Sequence, residues 1–456
     1  MRFFNKQQLI EWFDIAASFV PEEVRNRVRV RWLYRKHYKE NEANRRATRL
    51  LILDVLVKAS GVILLPVYTN LMSPQAFGLY GILLSLCITL TSFSLFGMNV
   101  IHAKLYYDCK DEKERGQLNF TIYLFIFLLD LFFLGIFFFS GFGPWFSIHF
   151  FNSSIDINAY RWSLFITVFC ITAYTILNNY LITTKNVRGM QIYNLLKLIL
   201  IQGVVVWILF WGYFEAIFTR LMVASALELG LIFVIGLIYI IPTIYYKIHS
   251  IFLIKAIKMA LPITVLNIVG FVIVSNQFLL EKYWGLEAAA IYNLSFLIGH
   301  LLMYFMNSFY NASLPEFLSK KDHWENFLHT KRTIKRIIIL SILGIVGLVA
   351  MTQVCVWLGF IQKVYQPTVF VLPFIGFHFI AMGISALIGR HLFSYDRVDL
   401  AMWVGILIYL GVGCLNWLLI PNWSYFGAGF AICFPYLIGY YILYKLVENE
   451  SKKHKS

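Results

Sequence analysis

Charged side chains inside long apolar runs are the residues of this sequence whose chemistry most needs an explanation. Only 14% of the chain is charged, whereas 59% is hydrophobic. An ionised group at the centre of a bilayer costs about 2.5–3.5 kcal/mol even on the lenient insertion scale. Such a group is therefore expected to face a cavity or a partner. The candidates are the basic residues Lys58, Lys197 and Arg390 and the acidic residues Asp54, Asp130 and Glu228.

The three basic candidates lie in the part of their apolar runs that is nearest a basic connection. A ring of Lys58, Lys197 and Arg390 at one mouth of a cavity would attract an anion strongly, because the dielectric constant there is low. Other interpretations remain open. Lys58 lies four residues after Asp54, on the same face of a helix, and can pair with it. Lys197 can extend to the membrane surface, and Arg390 can anchor its helix there.

The acidic candidates Asp130 and Glu228 are deeper. At 1.5 Å per residue they lie about 18 Å and about 16 Å into their runs, near the middle of a hydrocarbon layer about 30 Å thick. Each is protonated, pairs with a basic group or couples transport to an ion. His300 and His378 are expected to be hydrogen-bonded core histidines. The six cysteines are scattered without a CxxC pair, so we expect no metal site and no cofactor.

Apolar runs of spanning length dominate the 456 residues. A chain of this composition is a polytopic helical membrane protein. The net charge of +15 does not indicate nucleic-acid binding, because the basic residues are gathered between the runs. The twelve predicted spans are 50–72, 76–101, 118–140, 160–182, 191–213, 217–241, 260–282, 289–312, 334–360, 368–391, 399–420 and 426–446.

Lysine and arginine are concentrated in alternate connections between these spans. The favoured set includes 102–117, 183–190, 245–258 and 313–336, whereas the other set holds chiefly Lys363. The positive-inside rule therefore predicts that both termini are cytoplasmic and that the number of spans is even. Residues 1–49 are basic and amphipathic and are predicted to lie on the cytoplasmic membrane surface, and 448–456 form a basic cytoplasmic tail.

A weak internal repeat divides the spans into halves. The hairpin Leu64–Ser85 contains Gly78 and Tyr80, and a similar pattern with Ala290 and Tyr292 follows 212 residues later. We therefore predict two six-helix bundles, which comprise residues 50–245 and 246–447. The two hairpins are expected to face each other across a cavity. Pro66 is either a hinge for opening and closing or a fixed kink.

Three stretches of the sequence resemble a known family. GVILLPVYTNLMSPQAFGLYGILLSL at 61–86, SNQFLLEKYWGLEAAAIYNLSF at 275–296 and NWLLIPNWSYFGAGFA at 416–431 are similar to segments of Wzx-type oligosaccharide-lipid flippases. These proteins belong to the multidrug/oligosaccharidyl-lipid/polysaccharide (MOP) exporter superfamily. The sequence departs from the pattern at Asn276-Gln277, where many relatives carry an acidic and a basic residue. The 49-residue amino-terminal extension is also longer than is usual in the family.

The resemblance implies a fold and a function. The implied fold is an all-α, V-shaped pair of six-helix bundles related by a pseudo-two-fold axis. The implied function is that of a flippase in the bacterial inner membrane. It moves undecaprenyl-pyrophosphate-linked oligosaccharide repeat units from the cytoplasmic to the periplasmic leaflet. These are the repeat units of O-antigen in lipopolysaccharide, of capsule or of exopolysaccharide. Membrane lipids, a polysaccharide polymerase and chain-length machinery are the implied partners. The cavity cations Lys58, Lys197 and Arg390 would then bind the pyrophosphate.

Two other function classes remain open. One is a drug or metabolite exporter of the same fold, which would have a compact apolar cavity with one coupling acid. The other is a membrane polysaccharide polymerase or glycosyltransferase, which needs a long outer loop with acids, arginines or histidines. The longest outer connection, 141–159, is short, and no P-loop, GxSxG or HExxH motif occurs. We therefore expect a transporter and not an enzyme.

Overall fold

Helices account for nearly all of the backbone in a computed structural model that describes residues 64–151, 155–184, 186–319, 323–395 and 397–453. No strand occurs in these ranges. The α-helices, numbered in chain order, are α1 Leu65–Leu71, α2 Pro74–Leu95, α3 Met98–Asp108, α4 Glu112–Phe139, α5 Phe142–Phe150, α6 Arg161–Thr183, α7 Val187–Leu196, α8 Gly203–Trp211, α9 Ala216–Phe218, α10 Ala224–Tyr239, α11 Ser250–Ser319, α12 His323–Trp357, α13 Thr368–Ser394 and α14 Val398–Lys453.

Nine helical stretches in the described part of the chain are long and apolar enough to cross a membrane. Two of them are broken, α11 at Gly285 (φ 81°, ψ 178°) and α14 at Ser424 (φ 52°, ψ −136°). Each broken helix supplies two spans, so these nine stretches correspond to eleven of the predicted spans. Helix α1 is the end of the first predicted span. The predicted all-α polytopic architecture is confirmed.

Several helices extend beyond the apolar runs that predict them. Residues 141–159, expected to be a loop, contain the helix α5 and a 3₁₀ turn at Ile157–Tyr160. The connection expected at 313–336 is almost entirely helical, because α11 continues to Ser319 and α12 begins at His323. Hydropathy locates only the part of a helix that matches the lipid, so the polar helical ends at 313–336 are missed. Helix α5 is apolar, but its 9 residues are too few to be predicted as a span.

Among the helices before residue 245, α2 contacts both α4 and α6, and α6 also contacts α10. Two of the spans contain a π-helical turn. Lys197–Gln202 connects α7 to α8, and Thr219–Val223 connects α9 to α10. The extra residue in a π-helical turn shifts the register of the side chains on either side, and such turns are frequent at functional sites.

The helices after residue 250 pack around α14, which contacts both α11 and α13. Helix α11 also connects the two groups of helices. Its first turns lie on the earlier helices, where Lys255 pairs with Asp108 at 3.3 Å and Ile263 packs beside Gly97. Further along, Val272 packs against Gly413 of α14. The first span after the midpoint of the chain therefore contacts both groups.

The two related hairpins are in direct contact and not separated by a cavity, which corrects the expectation from the sequence. We call the end of the molecule that carries Ser73, Gly285 and Ser424 the outer end, because the charge bias predicts that it faces away from the cytoplasm. At this end Gly78 of α2 lies against the backbone of Leu286, and Gly81 lies against Asn293. The absence of a Cβ at both glycines allows the close approach.

Polar contacts extend this outer-end contact. Gln75 donates a hydrogen bond to Glu287, its counterpart 212 residues later in the chain. Ser85 donates to Gln277 at 2.9 Å. Asn70 donates to the carbonyl oxygen of Phe360 at 2.6 Å. The two halves of the chain are therefore joined at the outer end, in part by residues that occupy equivalent positions in the repeat.

Candidate functional site

Two charged clusters lie inside the helices before residue 245, and the first joins two of the predicted site residues. Lys197 forms an ion pair with Glu228, and Tyr193 donates a hydrogen bond to the same carboxylate oxygen. The lysine Nζ also lies 4.8 Å from the ring centroid of Tyr174. The Lys197 side chain is 28% exposed and that of Glu228 is 13% exposed. Lys197 is thus a paired cation, and the predicted pairing of Glu228 with a basic group is present.

The second cluster surrounds Arg220, which is not among the site residues predicted from the sequence. Its guanidinium carbon lies 3.9 Å from the ring centroid of Tyr68 and 4.8 Å from that of Tyr80. Its Nη2 donates a hydrogen bond to the Tyr80 hydroxyl at 3.0 Å. An arginine this close to the start of its span can extend to the outer surface. The structure instead directs Arg220 inward, between two tyrosines.

Both clusters depend on the π-helical turns. Lys197 begins the first turn and Gln202 ends it, while Arg220 lies in the second. The Tyr68 hydroxyl donates to Oε1 of Gln202 at 2.6 Å, which connects α1 to the first π-helical turn. The Tyr68 ring lies against Arg220, which connects α1 to the second π-helical turn. Periodicity along a regular helix cannot predict these positions, since the extra residue rotates them away from the expected face.

Asp130 lies apart from both clusters. It is only 1% exposed, on α4, and the hydroxyls of Ser94 and Thr172 from two neighbouring helices lie beside it. Among the described residues neither carboxylate oxygen has a hydrogen-bond partner of ordinary geometry, and no basic side chain pairs with it. Of its predicted roles, pairing with a basic group is therefore not seen in the described part of the chain.

Arg390 lies in the second half of the molecule, on α13, and is 7% exposed. Its guanidinium carbon is 4.3 Å from the ring centroid of Phe317 and 5.8 Å from that of Tyr310. The neighbouring His391 is also buried and contacts the Thr330 hydroxyl at 3.0 Å. Arg390 thus packs against the end of α11 in the second group of helices, whereas Lys197 lies in the first group.

The amide pair that departs from the family pattern is buried. Asn276 donates to the Tyr292 hydroxyl at 2.9 Å and contacts Asn416 of α14. Asn416 also donates to the carbonyl oxygen of Val272 at 3.3 Å. Neutral amides therefore hold α11 to α14.

His378 is buried in the second half of the molecule, and His300 is half-buried. The His378 ring packs edge-on against Tyr436, with 4.3 Å between the ring centroids. The His300 ring lies 4.7 Å from that of Phe379. Within the described ranges no group of three His, Cys, Asp or Glu side chains has the arrangement of a metal site.

Some of the predicted features lie outside the described residues, namely Asp54, Lys58 and the amino-terminal segment 1–49. Pro66 is described. It is the second residue of α1, and its carbonyl oxygen accepts hydrogen bonds from the Asn70 side chain at 2.8 Å and the Thr69 hydroxyl at 3.2 Å. The first turn of α1 is thus bonded through side chains as well as through its backbone.

The chain matches known proteins in structure and not in sequence. No protein-family model and no curated protein sequence matches it. Among solved structures, "Lipid II flippase MurJ, inward closed conformation" aligns with a TM-score of 0.65 and 15% identity, over 90% of this chain and 90% of that one.

Two drug transporters show the same likeness. An inward-facing multidrug resistance MATE family transporter of the MOP superfamily aligns with a TM-score of 0.59 and 10% identity, over 88% of this chain and 98% of that one. The MATE multidrug transporter DinF-BH aligns with a TM-score of 0.52 and 14% identity, over 88% and 91%. At these identities the likeness shows the fold alone. The chain has the fold of the MOP-type transporters, as predicted.

Proposed function

We propose that the protein is a flippase for undecaprenyl-pyrophosphate-linked oligosaccharide repeat units. It moves them from the cytoplasmic to the periplasmic leaflet by alternating access and performs no chemical reaction on them. The cargo consists of the repeat units of O-antigen in lipopolysaccharide, of capsule or of exopolysaccharide. A lipid II flippase and drug transporters share the fold, so the choice of substrate rests on the side chains of the site.

The observation that carries the proposal is the pairing of cations with aromatic rings inside the first group of helices. Lys197 lies over Tyr174, and Arg220 lies between Tyr68 and Tyr80. A pyrophosphate needs cationic donors, and sugar rings pack well on aromatic faces. A compact apolar cavity, which a drug exporter of this fold would have, does not need two cations at separate depths.

Lys58, Lys197 and Arg390 remain the proposed cavity cations, and we add Arg220 to them. Because Lys197 is paired with Glu228, an incoming pyrophosphate competes with that carboxylate for the lysine. Asp54, Asp130 and Glu228 are the proposed acids for ion coupling or pairing. The proposed domains stay as predicted from the sequence, with bundles at 50–245 and 246–447.

We further propose that the protein acts in the bacterial inner membrane with both termini in the cytoplasm. Its partners there are the membrane lipids, the polysaccharide polymerase and the chain-length machinery that receive the repeat unit. Deletion of the gene in its host tests the function directly. We expect lipid-linked oligosaccharide to accumulate in the inner leaflet, and a normal surface glycan in the deletion strain would contradict the proposal.

A drug or metabolite exporter of the same fold is the second candidate. It is favoured by Asp130, a buried carboxyl group without a basic partner among the described residues, because a proton-coupled exporter needs an acid that can take up and release a proton. This candidate predicts that the deletion strain loses resistance to a toxic compound while its glycan is normal. Under this candidate, Asp130→Asn would abolish that resistance.

A further inference from the structure

Arg220 is a cation without an acidic partner in the described part of the chain. The groups that lie close enough to influence its charge are the hydroxyls of Tyr68 and Tyr80. Its Nε is buried and has no hydrogen-bond partner among the described residues. Arginine carries five N–H donors in a planar fork that fits phosphate oxygens, and a tyrosine hydroxyl is a weak acceptor beside a phosphate. The guanidinium is thus incompletely satisfied.

A purely structural role would be served equally well by an uncharged side chain. The two tyrosine faces offset part of the cost of placing a cation in the membrane, but removing the cation would avoid the whole cost. Lys197, on the adjacent span, has the carboxylate of Glu228 as a partner, whereas Arg220 has no acidic partner among the described residues. An arginine held between aromatic rings in this way is the arrangement expected of a site whose anion arrives with a ligand.

We infer that Arg220, with Tyr68, Tyr80 and Gln202, forms an anion site near the outer end that binds the diphosphate group of a lipid-linked substrate. The identity of the anion rests on the proposed function. The guanidinium supplies the charge and the forked donors, the two rings hold it in place, and Gln202 orients Tyr68 through the hydrogen bond at 2.6 Å.

The position of Tyr80 connects this site to the outer-end contact. Tyr80 lies on α2 between Gly78 and Gly81, the two glycines that pack against the second part of α11. A diphosphate that draws the guanidinium away from Tyr80 also removes the hydrogen bond that holds that ring. Occupation of the site is thereby linked to the helix that closes the outer end.

The test is direct binding to the purified full-length protein in lipid nanodiscs. The probes are farnesyl diphosphate and farnesol, which share the isoprenoid and differ in the diphosphate. We expect Arg220→Gln to weaken farnesyl diphosphate binding about tenfold or more and to leave farnesol binding unchanged. Arg220→Lys should give an intermediate loss, because it keeps the charge and loses the fork.

Arg161→Gln is the matched control. Arg161 lies at the start of α6 and donates to the Asn158 side chain at 2.9 Å, outside the cluster, and its replacement makes the same change in charge. We expect it to leave the binding of both probes unchanged. The melting temperature of each variant establishes that it is folded, and Arg220→Lys keeps the test decisive if Arg220→Gln does not fold.

Three results would overturn the inference: wild-type protein that does not bind farnesyl diphosphate, an unchanged affinity in Arg220→Gln, or an equal loss for both probes. The first two leave the proposed function open, since transport of lipid-linked oligosaccharide is measured separately. Conversely, diphosphate binding that depends on Arg220 would support the site even if deletion of the gene left the surface glycan normal. That combination of results would contradict the proposed function and not the site.

Discussion

At the scale of single residues, the pair of Lys197 and Glu228 has the clearest energetic consequence. Removal of one partner from a fully buried pair costs about 3–5 kcal/mol, and the partial exposure of Lys197 reduces that cost. We predict that Lys197→Met and Glu228→Gln each lower the free energy of unfolding. The double variant should lose less than the sum, with a coupling energy of about 0.5–3 kcal/mol, as measured by denaturant unfolding in detergent.

Lys445 and Glu448 provide the matched control for that experiment. They form a surface pair 3.1 Å apart near the end of α14. Lys445→Met should leave the free energy of unfolding nearly unchanged, since surface ion pairs contribute little. Additive effects of the two substitutions at Lys197 and Glu228 would show that the ion pair does not stabilise the protein in detergent.

The buried amides give a second prediction at this scale. Asn416→Leu removes the donor to Val272 and the contact with Asn276. A buried polar group left without its partner costs about 1–3 kcal/mol. We therefore expect a lower melting temperature for Asn416→Leu. Asn422→Leu is the control. Asn422 is exposed on the same helix, and the hydrogen bond of its side chain goes to the carbonyl oxygen of Leu418 in that helix. An equal effect of both substitutions would contradict the prediction.

At the scale of helices, the close approach of α2 to α11 depends on Gly78. A Cβ at this position would overlap the carbonyl oxygen of Leu286, which is backbone and cannot move aside. Overpacking of this kind costs about 1–3 kcal/mol. We predict that Gly78→Ala shifts the protein away from the state closed at the outer end. The measurement is faster labelling of a cysteine introduced at Asn293, which is buried against Gly81, in a background without the native cysteines.

Gly135→Ala is the control for that substitution. Gly135 lies within α4, and a Cβ there would meet no atom within 4 Å. The labelling rate should therefore stay at the level of the parent protein. Equal labelling rates in the Gly78 and Gly135 variants would show that the close contact of α2 with α11 does not keep the outer end closed.

Pro66 belongs to the same scale. A proline supplies no backbone N–H, so the helix before it is weakened and can bend there. We predict that Pro66→Ala slows transport while both end states still form, because the helix loses its bending point. Unchanged transport with Pro66→Ala would show that the proline is a fixed kink. Pro74→Ala serves as the comparison, since Pro74 lies between the first two predicted spans, whereas Pro66 lies within the first.

At the scale of the whole molecule, the outer end must open if the protein works by alternating access. Gln75 and Glu287 are hydrogen-bonded across that end and are equivalent positions in the two halves. We predict that a cross-link between Gln75→Cys and Glu287→Cys, in a background without native cysteines, stops transport and that reduction restores it. The two single-cysteine variants are the controls. Transport by the fully cross-linked protein would contradict alternating access through this end.

The sequence by itself determined the class of the protein, the approximate positions of its spans and the 212-residue repeat. These features follow from hydropathy and from local spacing, which do not depend on the rest of the fold. The MOP-type fold was predicted from the resemblance of three stretches to a known family. The depth of Glu228 in its span likewise indicated that it needed a partner or an ion-coupling role.

Only the tertiary structure decided which side chains meet. The partnership of Lys197 with Glu228 joins residues 31 positions apart on different spans, and the direction of Arg220 is set by a π-helical turn that no periodicity predicts. The contact of the two hairpins likewise depends on how closely two backbones approach at Gly78. Such contacts are properties of packing between distant segments, and a pattern along one segment does not contain them.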